Sequence, residues 1–240
     1  MDVTALRAVI FDKDGTLFDF AATWGGWTQA ALLELAEGDM ELARRLGQAL
    51  GIVLPPDPAG VARFSPGSPA VSGTIAETAV HLAPMLGRDV EDLTDWLVMR
   101  AQEVRPAPAT DLVRLLGRLS AQRYALALAT NDSRLPTERH LEEAGIARLL
   151  PHVRTADDGL APKPAPDMLL SIAADLELHP RAVLMVGDSR ADIAAARAAG
   201  MPVIAVLTGP AGPGELLDAD TTLDHVGRLP GWLAEQARPT

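Results

Sequence analysis

Asp12 and Asp14 stand two residues apart at the end of the apolar run Ala8-Val9-Ile10-Phe11, with Gly15 directly after them. If that run is a buried strand, side-chain alternation puts both carboxylates on one side, their Cα atoms roughly 6.6 Å apart, and points Lys13 away. Gly15 marks the turn, because a residue without Cβ accepts backbone angles that others resist. Paired carboxylates in such a place can hold a hard cation, attack as a nucleophile, or trade protons as acid and base.

The elements that position these acids are readable from apolar runs and their punctuation. A first strand is expected over 7–11 and the next like it only at 124–129. Between them the signals are helical. Helices are expected over 27–35, from Asp39 to about Leu50 with Gly51 as stop, from the Thr74-x-x-Glu77 capping box to near Gly87, and onward from Asp89 with apolar Val90, Leu93, Leu97 and Val104. Residues 18–105 therefore read as an inserted helical cap domain, and 1–17 with 106–240 as the core. Phe18 to Ala21 and the Arg105-Pro106-Ala107-Pro108 segment lie at its borders as candidate hinges. Inside the insert, Leu54-Pro55-Pro56-Asp57-Pro58 and Ser65-Pro66-Gly67-Ser68-Pro69 must be loops.

Beyond 124 the pattern is strand then helix, repeated: helices at 136–144, 166–174 and 190–199, strands at 124–129, near Val153, at 182–186 and at 203–207. An edge strand near Thr222 and a final helix complete it. Wholly apolar strands spaced by helices indicate an α/β class protein with a Rossmann-like parallel sheet covered on both faces.

In a parallel sheet the strand ends lie on one edge, where open α/β folds bind ligands. Three polar clusters converge there: Asp12 and Asp14, then Thr130-Asn131-Asp132, then Gly187-Asp188-Ser189. Carboxylates about 4 Å apart repel by on the order of 4 kcal/mol at an effective dielectric near 20, so Asp12, Asp14 and Asp188 need a counter-charge. Hard oxygen donors with no His or Cys beside them suit Mg²⁺. A calcium loop of the EF-hand type fails on spacing, since it needs Gly at its sixth position and Gly15 comes fourth.

Composition narrows the partners. Of the 240 residues 48% are hydrophobic, enough for a folded core with a smaller companion unit. The net charge of −11 disfavours nucleic acid and anionic membranes as partners. There is no cysteine, which rules out disulfides and thiolate metal sites and fits a reducing cytoplasm. No apolar run approaches the ~20 residues of a membrane span, and the first residues do not resemble a secretion signal. A monomer or homodimer is expected.

Four segments in order, Phe11-Asp12-Lys13-Asp14-Gly15-Thr16-Leu17, Leu128-Ala129-Thr130-Asn131, Lys163-Pro164-Ala165-Pro166-Asp167 and Gly187-Asp188-Ser189-Arg190-Ala191-Asp192, resemble the motifs of the haloacid dehalogenase superfamily. The likeness is to its phosphatases of the phosphoglycolate phosphatase type. It covers about 7–17 and 106–207, and the insert stands where that family carries a helical cap. The resemblance implies that Asp12 attacks phosphorus to give an aspartyl-phosphate and that Asp14 serves as acid and base, its backbone carbonyl ligating Mg²⁺. It implies that Lys163 neutralises charge and that Asp12 and Asp188 are metal ligands. Thr130, with the Asn131 amide, would hold the phosphoryl group; capping of the next helix is an equally open reading of Thr130. Asp192 either orients the site or caps its helix with Ser189, and both can hold.

Substrate contacts are expected from the cap loop, at Arg63, Ser65, Ser68 and Ser72. Trp24 and Trp27 read as cap core, with Gly25-Gly26 weakening a helix near the hinge. His140 reads as solvent-facing, and 209–214 as a plain loop. The function implied is Mg²⁺-dependent hydrolysis of a small phosphomonoester, phosphoglycolate-like. A sugar-phosphate mutase of the β-phosphoglucomutase type shares every core motif, and a non-catalytic phosphate-binding regulator could share the fold.

Overall fold

The run Ala8–Phe11 forms β1 and is buried along its whole length. With no polar side chain to satisfy and both faces apolar, it suits the centre of a covered sheet. The computed structural model describes residues 2–57, 60–65 and 67–237. Pro58 and Pro66 of the expected loops lie outside the described residues.

After β1 the chain leaves the sheet through α1 (Phe20–Leu35), α2 (Met40–Ala49), β2 (Ile52–Val53), β3 (Arg63–Phe64), α3 (Pro69–Ser72), α4 (Ile75–Leu86) and α5 (Val90–Ala101). It returns through α6 (Leu112–Ala121) to β4 (Ala125–Ala129). Then follow α7 (Arg134–Glu143), β5 (His152–Arg154), α8 (Asp167–Asp175), β6 (Val183–Gly187), α9 (Arg190–Ala199), β7 (Val203–Val206), β8 (Thr221–Leu223) and α10 (Leu229–Gln236).

Six strands pair in the order β5-β4-β1-β6-β7-β8, all parallel. Alternation sorts their side chains into two cores. Val9, Phe11, Leu128 and Val186 pack under α6 and α10, while Ala8, Ile10, Ala129 and Met185 pack under α8 and α9. Each fully buried Val, Leu, Ile or Phe contributes about 1.5–3 kcal/mol, so these two layers carry the sheet. Phe11 pairs with Leu128 and Val186, which puts Asp12 level with Ala129 and Gly187, one residue short of Thr130 and Asp188.

The insert has an apolar core of its own, including Leu32, Leu46, Leu50, Leu82, Leu93 and Leu97. Its helices begin where side chains can take up free backbone amides: Asp39 accepts from Glu41 and Leu42, and Thr74 and Glu77 form the reciprocal capping box at 3.1 and 2.7 Å. The segments leading out and back are hydrogen-bonded to each other, Asp19 N to Ala107 O at 2.8 Å and Ala109 N to Leu17 O at 2.9 Å.

The structure departs from expectation at three places. α1 begins at Phe20, not Trp27, because Asp19 accepts from the Ala22 amide at 2.8 Å and caps it there. Gly25 then lies inside the helix, where a Cβ would strike Val61; its carbonyl accepts from Ala62 N at 3.0 Å, so this glycine serves a close approach of the 60–62 segment. The insert is also not wholly helical, since β2 and β3 pair antiparallel, Ile52 with Phe64. Finally, α6 was not anticipated, although Leu112, Leu115, Leu116 and Leu119 follow a helical period. No helix among the described residues is long and apolar enough to cross a membrane.

Candidate active site

At the carboxyl edge of the sheet, Lys163 Nζ donates to Asp12 Oδ1 at 2.7 Å, to Asp192 Oδ1 at 2.6 Å and to Ala129 O at 2.8 Å, using all three of its protons. Asp192 meets both of its expected geometries: its Oδ2 accepts from Ser189 N at 3.0 Å and Ser189 Oγ at 2.6 Å, capping α9. The group is almost dry, with Asp12 at 6% exposure, Lys163 at 5% and Asp188 at 2%.

Burial pushes the Asp12 carboxyl up to about 6, even against the Lys163 ammonium. Burial, with the charges of Asp12 and Asp192, holds Asp188 well above the usual carboxylate range. Burial works against Lys163 too, yet Asp12 and Asp192 keep it above the ordinary lysine value. One ammonium thus faces three carboxylates.

Oxygens of Asp12, Asp188 and Asp192 lie within 4.8 Å of one another. An all-oxygen, charge-rich donor set of this kind fits a divalent hard cation such as Mg²⁺. Asp188 is closely enclosed: a Cβ at Gly15 (φ +91°) or at Gly209 would collide with its carboxylate, and Thr16 Oγ1 donates to its Oδ1 at 3.4 Å. The 209–212 segment is a loop as expected, and within it Gly209 closes one side of the acid cluster.

Asp14 is placed differently from expectation, and so is Lys13. β1 stops at Phe11, so strand alternation does not extend to residue 13. Instead of pointing away, Lys13 is fully buried and its Nζ lies 2.6 Å from Asp14 Oδ2, 2.8 Å from Asp132 Oδ2 and 3.0 Å from His140 Nδ1. Asp14 Oδ1 accepts from Trp24 Nε1 at 2.8 Å. The Asp14 carboxylate is thus engaged outside the Asp12–Asp188–Asp192 cluster.

His140 does not face solvent; it is fully buried. Its Nε2 lies 3.2 Å from the Ala101 carbonyl and can only donate there, so Nδ1 accepts from Lys13. Burial, reinforced by the Lys13 charge, lowers its pKa to about 4. Against burial, Asp132 and Asp14 keep Lys13 charged.

Thr130 is buried at the edge of the site, and its Oγ1 accepts from Asp132 N at 3.1 Å. The N-cap of α7 is Ser133, so Thr130 is not the cap of that helix. Asn131 Nδ2 donates to Ser72 O and to Lys163 O, both at 2.7 Å, while its Oδ1 accepts from Lys163 N at 2.9 Å. This one amide joins the insert to the lysine.

The motif residues thus meet at one sheet edge in the order their spacing predicts, and comparison with known proteins assigns the family. The family model of haloacid dehalogenase-like hydrolases matches residues 6–200. The chain belongs to the haloacid dehalogenase-like hydrolases. A plasmid-borne phosphoglycolate phosphatase of Cupriavidus necator is 33% identical over 239 residues, spanning 94% of this chain and 92% of that one. A phosphoglycolate phosphatase of Rhodospirillum rubrum is 30% identical over 234 residues, 95% and 90% of the two chains. A solved hydrolase of Pseudomonas syringae shares the fold, with a TM-score of 0.65 over 97% of this chain and 100% of its own at 21% identity.

In this hydrolase the acid cluster opens into a cavity of about 130 Å³ that runs up into the insert. Ser72 lines it beside Asn131. Arg63, Ser65 and Ser68 do not. Pairing of β2 with β3 leaves Arg63 exposed, Ser65 N donates to Gly51 O at 2.8 Å, and Ser68 is buried with its hydroxyl on Leu50 O at 2.5 Å, capping α3. Trp27 packs against the insert's apolar core as expected, but both Trp24 and Trp27 also line the cavity, and Trp27 Nε1 donates to Arg100 O at 3.1 Å. Lys13, Trp24, His140 and Gly209 are the site residues that the motifs did not disclose.

Proposed function

We propose that this hydrolase is a Mg²⁺-dependent phosphatase that cleaves a small phosphomonoester through an aspartyl-phosphate. The observation that carries this reading is the 2.7 Å contact of Lys163 Nζ with Asp12 Oδ1, at the edge where two more carboxylates gather. Lys163 fixes the orientation of Asp12, and the carboxylate oxygen it does not hold is the attacking atom. That oxygen bonds to phosphorus as the bond from phosphorus to the ester oxygen breaks, and Asp14 gives its proton to the departing alkoxide. Water then attacks the aspartyl-phosphate, yields its proton to Asp14, and releases phosphate with Asp12 restored.

Asp12, Asp188 and the Asp14 carbonyl would hold Mg²⁺, with Asp192 steadying the cluster, and the cation would supply positive charge beside the phosphoryl oxygens. Thr130 and the Asn131 amide would hold those oxygens, since phosphoryl transfer depends mainly on positioning and electrostatics. Residues 18–105 would act as the cap that excludes water, Ser72 closing against Asn131. The relatives that are phosphoglycolate phosphatases support a small phosphorylated metabolite as substrate.

The test is release of inorganic phosphate from p-nitrophenyl phosphate with Mg²⁺. Wild type turns over, chelation of Mg²⁺ with EDTA stops it, and Asp12→Asn loses on the order of a thousandfold or more in kcat. Turnover that survives Asp12→Asn would remove Asp12 as the nucleophile.

A further inference from the structure

The cavity joined to the acid cluster has two chemically distinct ends. At the sheet edge it is lined by Asp12, Asp14, Asp188, Asp192 and Lys163. Above them, in the insert, its wall is Phe20, Trp24, Trp27, Phe64, Leu82 and Leu97, with more aliphatic side chains between. The polar side chains of that upper wall are uncharged hydroxyls such as Thr28 and Thr78. Among the described residues, Lys163 is the single cation in the lining, and its three protons are already taken by Asp12, Asp192 and Ala129. The expected cation of the insert, Arg63, is exposed on β3 and off the wall.

A leaving group with a carboxylate, such as glycolate, would have to bury that charge among aromatic and aliphatic side chains and near several acids. An unpaired buried charge is strongly disfavoured, and the Lys13 ammonium near Trp24 is already taken by Asp14, Asp132 and His140. An apolar ring meets no such barrier. Apolar cavities lined by Leu, Ile and Phe take up benzene; the cavity here measures about 130 Å³ over both ends together.

We infer that the upper chamber is a leaving-group site for an uncharged apolar alcohol or phenol, so the preferred substrate is an aryl or comparably apolar phosphomonoester and not a phosphorylated carboxylate. The inference rests on the phosphatase reading for its chemistry, but the chamber's preference can be measured without turnover. Phenylphosphonate and phosphonoacetate carry the same phosphorus head on an apolar and on a carboxylate tail, and a phosphatase of this kind leaves the P–C bond intact. Titration calorimetry of the wild-type protein with Mg²⁺ should show phenylphosphonate binding at least tenfold more tightly, a single methylene in an apolar pocket being worth about 10–200-fold.

Thr78→Phe, which fills the chamber from α4, should weaken phenylphosphonate at least tenfold more than inorganic phosphate. In turnover, kcat/KM for phenyl phosphate should exceed that for phosphoglycolate by a similar factor. Tighter binding of phosphonoacetate, or equal effects of Thr78→Phe on phenylphosphonate and phosphate, overturns the inference and leaves the phosphatase reading standing. Tight phenylphosphonate binding with no phosphate release from either ester supports the chamber's preference and sinks the phosphatase reading.

Discussion

Trp24 Nε1 donates a 2.8 Å hydrogen bond to Asp14 Oδ1, so the proposed acid and base is gripped from the insert as well as from the sheet. Lys13 holds its other oxygen at 2.6 Å. Trp24→Phe keeps a ring on the cavity wall and removes only the donor. Hydrogen bonds to charged groups are worth about 1.5–3 kcal/mol, so kcat should fall roughly tenfold or more with KM little changed. Steady-state kinetics checks this, and an unchanged kcat would detach the tryptophan from catalysis.

Lys163→Met leaves Asp12 and Asp192 buried without their shared cation. Breaking a buried ion pair from one side costs about 3–5 kcal/mol, so urea unfolding without Mg²⁺ should show a loss of that order together with lost turnover. Added Mg²⁺ should restore part of the stability and none of the activity. A loss below about 1 kcal/mol would mean that water already reaches these acids.

His140 links proton uptake to folding. Its pKa is near 4 in the fold against 6.5 in the open chain, so between those values the unfolded state carries a proton that the native state lacks. Its contribution to stability is therefore present above about pH 6.5 and lost as pH falls towards about 4, on the order of 3 kcal/mol in total. Asp12, raised to about 6 by burial, works in the opposite direction over much of the same range. The difference between wild type and His140→Gln isolates the histidine: their gap in unfolding free energy should shrink by about that amount between pH 7.5 and 4.5. A gap that stays constant with pH would show that His140 is not held neutral.

Gly209→Ala introduces a methyl group into the space of the Asp188 carboxylate. The Mg²⁺ concentration for half-maximal activity should rise at least tenfold, with the unfolding free energy reduced by no more than about 2 kcal/mol. An unaltered Mg²⁺ requirement would separate Asp188 from metal binding.

How far the sequence reveals this molecule depends on how local each cause is. The sheet strands are legible because a strand covered on both faces must be apolar throughout, and the acids that follow Phe11 and Gly187 are then fixed in place by register. The α9 start is legible because Ser189 and Asp192 satisfy each other within one turn. Lys13 is misread because alternation holds only while the strand lasts. His140 sits on a polar helix and looks solvated; the groups that bury it, Lys13 and the Ala101 carbonyl, come from distant parts of the chain. Arg63 and Ser68 are polar residues of a polar loop, and which way such side chains turn is decided by β2–β3 pairing and by the Leu50 carbonyl, neither written in the loop itself.

The insert packs around leucines that it does not share with the sheet. Leu82 and Leu97 belong to that cluster and to the chamber wall alike, so a substitution there alters the insert's packing without entering the two cores of the sheet. What the chamber accepts can thus be reshaped without disturbing the sheet's packing, except at Trp24, which also holds Asp14.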